Sequence, residues 1–265
     1  MAIYDDRITC LFNRLKHARP YQMPEVHFHA EHELYYLIEG TTKYFIEDEL
    51  FLLNPGELIF VPKGTFHKTS SNAERILLMF DEEYIDEGYQ KYIEELTENK
   101  HIIISSKHQN KIQDIMYKIE KEDIKQDKDY INMQKLYLKE LLILISRHRT
   151  TKSTVKFTQS YAAIQDVAKY ISSNYATDLS LAALASHFSI TPNHLSKQFK
   201  KVTGVGLNDY INITRISAAE KFLINTDMSI TEISSQCGFN DSNYFAAVFK
   251  KIKGITPKKY SLINK

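Results

Sequence analysis

The feature that most constrains this chain is an internal repeat near its C-terminal end. Residues 181–204 (LAALASHFSITPNHLSKQFKKVTG) align with residues 230–254 (ITEISSQCGFNDSNYFAAVFKKIKG) at an offset of 49 to 50 residues. In each copy the apolar residues recur at helical spacing on either side of a short polar turn. The repeat therefore predicts two similar pairs of short helices.

Start and stop signals bound the second helix of each copy. Thr191 stands before a proline and Asp241 before a serine, as is typical of helix starts. Gly204 and Gly254 supply the ends. One helix, predicted over 207–225, joins the two pairs. Such a connector can set the two second helices about one DNA turn, or ~34 Å, apart.

Two short helices joined by a tight turn form a helix-turn-helix, whose second helix can enter a major groove of DNA. Small polar side chains near the start of that helix can reach base edges, while cations and backbone N–H groups can hold phosphates. The residues predicted to contact phosphates are Thr191, Lys200, Lys201, Arg215, Lys250 and Lys251.

Charge is divided unevenly along the chain. Residues 151–265 hold 14 Lys and Arg against 7 Asp and Glu, whereas the first 150 residues hold 20 against 26. The net charges of +7 and −6 favour a polyanionic partner for the second half alone.

Composition limits the class of protein. A chain of 265 residues with 43% hydrophobic and 25% charged residues predicts about two globular domains, and excludes collagen-like and wholly disordered chains. Two cysteines are too few for a disulfide framework, and the first residues lack the apolar core of a signal peptide. We therefore expect a cytoplasmic protein.

Residues 20–80 are typical of a small β-sandwich or barrel. Turn signals at Glu39-Gly40 and Ser70-Ser71-Asn72 are among those that separate the predicted strands. Those strands are Leu34–Ile38, Lys43–Ile46, Leu58–Val61 and Ile76–Phe80.

The stretch 81–149 then turns helical, with helices predicted over 84–96, 109–122 and 130–148. The last of these is apolar on more than one face, which is consistent with a core helix or with a dimer interface. Residues 150–160 are polar and β-branched and are the predicted linker. The residues assigned to the dimer helix are Ile131, Leu138, Leu141, Leu142 and Ile145.

Histidines cluster in the strand-rich half. His27, His29 and Glu33 follow the spacing H-x-H-x3-E, and His67 ends a G-x5-P-x-G-x2-H segment. Alternate residues of a strand share a face, so these side chains can point into one barrel. Three imidazoles and a carboxylate suit a divalent transition metal. A polar small-molecule pocket or a structural role fits the same residues, and His32 is expected at the surface.

Aromatic residues nearby could line such a pocket. Strand alternation must place about half of them on the other face of the sheet. The candidates are Tyr35, Tyr36, Tyr44 and Phe60.

Residues 161–263 resemble the DNA-binding domain of the AraC/XylS family of bacterial transcription regulators. The resemblance rests on the first repeat, on Arg215 in the connecting helix, and on Gly238-Phe239, Asn243-Tyr244-Phe245 and Thr256-Pro257. It implies base reading by Asn193, Ser196 and Lys197 in the first copy and by Ser242, Asn243, Ala246 and Ala247 in the second.

The histidine motifs resemble those of the cupin β-barrel. Together the two resemblances imply an α+β protein: a cupin-like effector-binding barrel (1–80), a helical dimerisation segment (81–149), a linker (150–160) and a double helix-turn-helix domain (161–265). Ala246 and Ala247 offer only methyl contacts, so the second helix is expected to contribute mainly phosphate contacts and shape readout.

The resemblance implies a non-enzymatic regulator, an activator by expectation, which is controlled by a small-molecule effector such as a sugar. A homodimer that contacts RNA polymerase is implied as well. No cofactor is expected, although binding of a divalent metal at the histidines is an open alternative. The alternatives are a metal-dependent cupin enzyme or metal sensor fused to a DNA-binding domain, and a regulator that no longer responds to an effector.

Overall fold

The computed structural model describes residues 11–16, 21–22, 27, 29–150 and 159–265. The chain divides into two compact units. The first comprises residues 1–46 and 50–156, and the second comprises residues 47–49 and 157–265. Most of the predicted linker, residues 151–158, lies outside the described residues, as does Cys10.

The first unit contains an eight-stranded sheet built on a long antiparallel pair, β3 with β6. The strand order is β1-β6-β3-β5-β7-β8, with β2 pairing β6 and β4 pairing β3. The bounds are β1 Leu11–Lys16, β2 Tyr21–Gln22, β3 His32–Ile46, β4 Glu49–Leu53, β5 Glu57–Val61, β6 His67–Phe80, β7 His101–Ile104 and β8 Arg149–Thr150.

Two predicted turns are wrong, because the chain runs straight through them. Glu39-Gly40 lies within β3, where the pairing with β6 shifts by one residue between Leu37 and Glu39. The signal at Ser70-Ser71-Asn72 lies within β6. In β3 a glycine with φ of 93° accompanies a β-bulge rather than a chain reversal.

The sheet is buried on both faces. One face carries Leu34, Tyr36 and Phe60 into a core shared with the helices that follow the sheet. The other face carries Tyr35 and Tyr44 into a separate core inside the barrel. Of the four aromatic residues predicted to line a pocket, only these last two therefore point into the barrel.

Three helices cover the outer face of the sheet, preceded by two short 3₁₀ turns at Glu82–Tyr84 and Glu87–Tyr89. They share one apolar core with the sheet, because each presents a buried stripe to it. The helices are α1 Gln90–Glu98, α2 Ser106–Lys125 and α3 Tyr130–His148.

The dimer interface predicted on α3 is wrong for four of its five residues. Leu138, Leu141, Leu142 and Ile145 are at most 1% exposed and lie in the core of their own unit. The helix is apolar on more than one face because it packs against both α1 and α2, within a core that also includes residues of the sheet. Ile131, which is 39% exposed, is not in that core.

From residue 159 onward, the described chain of the second unit forms helices joined by turns and short loops. The residues predicted to begin and end the repeat helices are confirmed: Thr191 and Asp241 cap through their side chains, and Gly204 and Gly254 end the helices with positive φ. The helices are α4 Gln159–Ser173, α5 Leu181–His187, α6 Pro192–Thr203, α7 Leu207–Asn225, α8 Ile230–Gln236, α9 Ser242–Lys253 and α10 Pro257–Asn264.

Among the described helices, none combines the length and the apolar character that a membrane crossing requires.

We predict that Leu141→Ala lowers the free energy of unfolding by about 2–5 kcal/mol, because it leaves a cavity in a closed core. Leu136→Ala is the matched control, since Leu136 lies on the same helix and is 57% exposed. Urea unfolding of both variants checks this. Equal, small losses in the two would contradict the assignment of Leu141 to the core.

Candidate nucleic-acid interface and imidazole cluster

Helix α6 is amphipathic, and its outward face carries the residues predicted to read bases. Leu195 and Phe199 are fully buried and fix the orientation of the helix. Asn193 and Lys197 are exposed and Ser196 is half-exposed, so the three lie on the opposite side. The backbone geometry thus presents these groups to solvent; their role in base reading stays a prediction.

Helix α9 repeats this arrangement with fewer polar groups. Asn243 and Ala247 are exposed, while Ser242 and Ala246 are half-exposed. The carboxylate of Asp241 accepts hydrogen bonds from the backbone N–H groups of Asn243 and Tyr244 (2.7 and 2.8 Å). A negative group therefore already occupies the start of α9.

The lysines predicted to contact phosphates lie exposed near the ends of the two helices. Their neighbour Lys253 instead forms an ion pair within the domain, because its Nζ lies 2.8 Å from the carboxylate of Glu220. The exposed lysines are Lys200, Lys201, Lys250 and Lys251.

Arg215, also predicted to contact a phosphate, has a different environment. It lies half-buried on α7, where its Nε donates to the carbonyl of Tyr175 (2.8 Å) and its Nη2 to that of Thr177 (3.0 Å). A phosphate contact would have to compete with these two hydrogen bonds. Nothing in the local sequence pattern indicated them.

Tyr244 is a residue of the interface to which the sequence assigned no role. Its ring is 55% exposed on α9, and its hydroxyl accepts a hydrogen bond from the side-chain amide of Asn212 (3.1 Å). The repeat pairs it with His194 of α6, which is also exposed. The repeat alignment was the available signal, because it places both residues outside the core.

In the first unit, the structure brings together the histidines that the spacing singled out. Ligand atoms of His27, His29 and His67 all lie within 4.8 Å of one another. His27 and His67 are joined by a pair of backbone hydrogen bonds (3.2 and 3.0 Å). Glu33, on β3, places a carboxylate oxygen 3.2 Å from the Nε2 of His29 and 3.5 Å from that of His67.

Backbone carbonyls orient two of the rings. The Nδ1 of His29 donates to the carbonyl of Glu31 (2.7 Å), and the Nδ1 of His67 donates to that of Thr65 (3.0 Å). These assignments follow from the hydrogen-bond geometry. Each leaves Nε2 directed at the cluster, as in metal sites where a carbonyl fixes the ring. The Nε2 of His67 and the Nδ1 of His27 are buried and make no hydrogen bond.

The carboxylate of Glu33 sets the charge of the cluster. Burial would raise the pKa of Glu33, but the hydrogen bond from His29 and the adjacent imidazole of His67 hold that pKa well below its usual range. The phenol of Tyr44 donates to the other carboxylate oxygen (2.7 Å). Burial opposes charge on His29 too, yet the hydrogen bond to Glu33 raises the pKa of that imidazole.

His27 is the neutral member of the set. Burial, followed by the charge of His67, lowers the pKa of His27 to about 4. The cluster therefore combines a carboxylate, an imidazole whose pKa is raised, and two buried ring nitrogens that make no hydrogen bond. Such groups can hold a divalent metal, or they can hydrogen-bond a polar ligand.

The expectation that His32 lies at the surface is wrong. Its side chain is 3% exposed and stacks against Phe60, with ring centroids 5.3 Å apart. Its Nδ1 accepts a hydrogen bond from the backbone of Lys63 (3.2 Å). Since it precedes Glu33 on β3, it faces the helices and not the imidazole cluster.

Two family models match separate segments of the chain, one in each half. Residues 184–262 match the helix-turn-helix domain model, and residues 17–81 match the cupin domain model. The first match contains α6 and α9, the two helices predicted to enter DNA grooves and called the recognition helices below, and the second contains the imidazole cluster.

Curated relatives are transcription regulators. The transcriptional activator RhaR of Mannheimia succiniciproducens is 24% identical over 247 residues, which cover 91% of this chain and 89% of that protein. The RhaR of Escherichia coli is 30% identical over 132 residues, 50% of this chain and 47% of that protein. The regulator YijO of Escherichia coli is 37% identical over 103 residues, 39% of this chain and 36% of that protein.

Among solved structures, some match the C-terminal part of this chain and others match nearly all of it. The C-terminal domain of the response regulator yesN from Fusobacterium nucleatum is 34% identical with a TM-score of 0.37, covering 38% of this chain and 98% of that one. ToxT from Vibrio cholerae is 14% identical with a TM-score of 0.39, covering 97% and 99%.

The repeat with its confirmed caps, the two family models and the relatives agree with one another. The chain therefore contains a helix-turn-helix domain and, towards its N-terminal side, a cupin domain, and over most of its length it is similar to a curated transcriptional activator.

Proposed function

We propose that the barrel of this regulator binds a polar small molecule at the imidazole cluster, and that binding controls how strongly the helical unit occupies DNA. The observation that carries the proposal is that two buried ring nitrogens, Nδ1 of His27 and Nε2 of His67, make no hydrogen bond. A buried polar atom without a partner costs about 1–3 kcal/mol. A ligand that supplies hydrogen-bonding groups would recover that free energy.

The chemistry of the cluster favours a hydroxylated ligand, such as a sugar. Glu33 is an ionised acceptor, and the imidazoles can donate or accept according to their tautomers. Hydroxyl groups both donate and accept, so they match such a mixed set. Tyr44 and Tyr35 belong to the apolar core on the interior face of the sheet, and their rings meet edge to face with centroids 5.0 Å apart.

Metal sensing is the second candidate, because the donor set also fits a transition metal. The three imidazoles and the carboxylate of Glu33 would hold the ion. The buried Nε2 of His67 and Nδ1 of His27 are the orphaned atoms it would satisfy. Enzymatic turnover is not proposed, since the curated relatives are transcription regulators.

Control of DNA binding requires the ligand to favour one state of the protein over another. We propose activation as the outcome, by contact with RNA polymerase, and a homodimer as the acting form. The relatives named as transcriptional activators support the first of these. A two-fold protein would match paired binding sites on DNA, which supports the dimer.

Effector binding is tested by thermal unfolding in the presence of a panel of sugars. A ligand at 100 times its Kd stabilises the protein by about 2.7 kcal/mol, so the melting temperature should rise. We expect Glu33→Gln to abolish the rise. Glu57→Gln is the matched control, because Glu57 also accepts a hydrogen bond from a histidine, His101 (2.8 Å), outside the cluster.

A thermal shift that survives Glu33→Gln would contradict the assignment of the ligand to this cluster. Elemental analysis of the untagged protein separates the two candidates. If the protein holds about one metal ion per chain and the His27→Ala/His29→Ala variant does not, then the ligand of the cluster is a metal ion and not an organic effector.

The DNA interface is tested by titrating duplex DNA at several salt concentrations. With six to eight phosphate contacts, affinity should fall by about 10³ or more between 50 and 200 mM salt. Lys197→Ala should reduce discrimination between sequences by about 1–3 kcal/mol, because Lys197 lies on the exposed middle of α6. Lys251→Ala should weaken all sequences alike. Equal losses of discrimination in the two variants would refute these roles.

A further inference from the structure

The two helix-turn-helix halves of the second unit meet at a seam formed by three segments. These are the loop between α4 and α5, the middle of α7, and the turn between α8 and α9. Arg215 on α7 donates hydrogen bonds to the carbonyls of Tyr175 and Thr177 in the loop (2.8 and 3.0 Å). Its guanidinium carbon also lies 5.5 Å from the ring centroid of Phe239 in the turn. One side chain therefore contacts both halves.

Gly238 closes the same seam from the side of the turn. Its φ is +81°, and a Cβ built there would lie 2.9 Å from the Cα of Ala176 and 2.9 Å from the carbonyl oxygen of Tyr175. That carbonyl is also the one that accepts from Arg215 Nε. The second half thus approaches the loop as closely as backbone atoms permit.

The loop is in turn fixed to the first half. Asp178 accepts a hydrogen bond from the backbone of Ser180 (2.9 Å), and the Ser180 hydroxyl caps α5 by accepting from Ala183 (3.2 Å). A shift of the loop would therefore move α5, which packs against α6. The seam connects the two recognition helices through this short path.

At the seam the halves are separated by a cleft of about 840 Å³. Its lining includes Arg215 and Gly238 of the seam, together with Asn208 and Asn212 of α7 and Tyr244 of α9. Helix α7 packs against α4 and α6 as well as against α8 and α9. A single helix in contact with both halves can act as a hinge unless a further contact fixes the angle between them. The hydrogen bonds of Arg215 supply such a contact.

Arginine is suited to this position and lysine is not. The planar guanidinium presents Nε–H and Nη–H in a fixed fork that can serve two carbonyls at once. A lysine keeps the charge and the aliphatic stem, but it cannot reproduce the fork. Arg215 is the sole arginine in residues 157–265, where all other basic residues are lysines.

We propose that Arg215 is a positioning residue that fixes the angle between α6 and α9, and thereby the spacing between the two DNA boxes that the protein accepts. The inference rests on DNA binding by both recognition helices. In this proposal Arg215 makes hydrogen bonds within the protein, and it does not make the phosphate contact that the sequence suggested.

The test measures spacing preference. A duplex bound by the wild-type protein is first selected from random DNA, and one base pair is then inserted or deleted between its two boxes. Each base pair rotates the second box by about 34–36° around the helix axis, so we expect the wild type to lose about tenfold in affinity. We expect Arg215→Lys to bind the altered spacings within about threefold of the selected one.

Gly238→Ala examines the seam from its other side without a change of charge, and the same relaxation of spacing is expected. Lys200→Ala is the control, because Lys200 is an exposed cation outside the seam. It should weaken binding at every spacing equally. Circular dichroism of each variant verifies that the helices are retained.

A phosphate contact predicts a different pattern. The lysine variant would then behave as the wild type, and Arg215→Ala would lower the salt slope of binding by about one without changing the spacing preference. That result, or wild-type spacing preference in both Arg215→Lys and Gly238→Ala, would overturn the proposal. A wild-type protein that selects no duplex at all would overturn the DNA-binding function as well.

Discussion

The candidate site of the barrel depends on the β-bulge at Ile38. Before it, odd-numbered residues of β3 such as Glu33 and Tyr35 face the barrel interior; after it, even-numbered residues such as Tyr44 do. Residues 11 positions apart would point to opposite faces of a regular strand. The extra residue reverses the alternation. The bulge therefore allows the hydroxyl of Tyr44 to reach the carboxylate of Glu33 at 2.7 Å.

This bond has a further consequence for the charge of the site. A buried carboxylate is stable only when hydrogen bonds and opposite charge replace its water. Glu33 obtains both, from Tyr44 on one oxygen and from His29 on the other. The cluster is therefore organised around its carboxylate before any ligand arrives. The buried ring nitrogens that make no hydrogen bond belong to His27 and His67. These two rings are therefore where a ligand could form new hydrogen bonds.

Local chemistry explains which features the sequence could predict. The caps at Thr191 and Asp241 and the glycine at 204 act on the backbone within a few residues, and the structure bears them out. The turn predicted at Glu39-Gly40 failed because glycine serves bulges as well as turns, and the choice depends on pairing with β6. The hydrogen bonds of Arg215 join residues 38 and 40 positions apart, a distance at which no local pattern operates.

Helices α6 and α9 are chemically unequal, and the fixed angle proposed between them would compensate for that difference. Asp241 places a negative charge at the start of α9, where it repels a phosphate, whereas the neutral Thr191 starts α6. With alanines at 246 and 247, α9 also has fewer groups that could discriminate bases. A helix with few base-contacting groups, such as α9, adds to sequence specificity only if α6 places it at one defined position in the groove. A rigid connection between α6 and α9 meets that need, because it converts the modest contacts of α9 into a requirement on spacing.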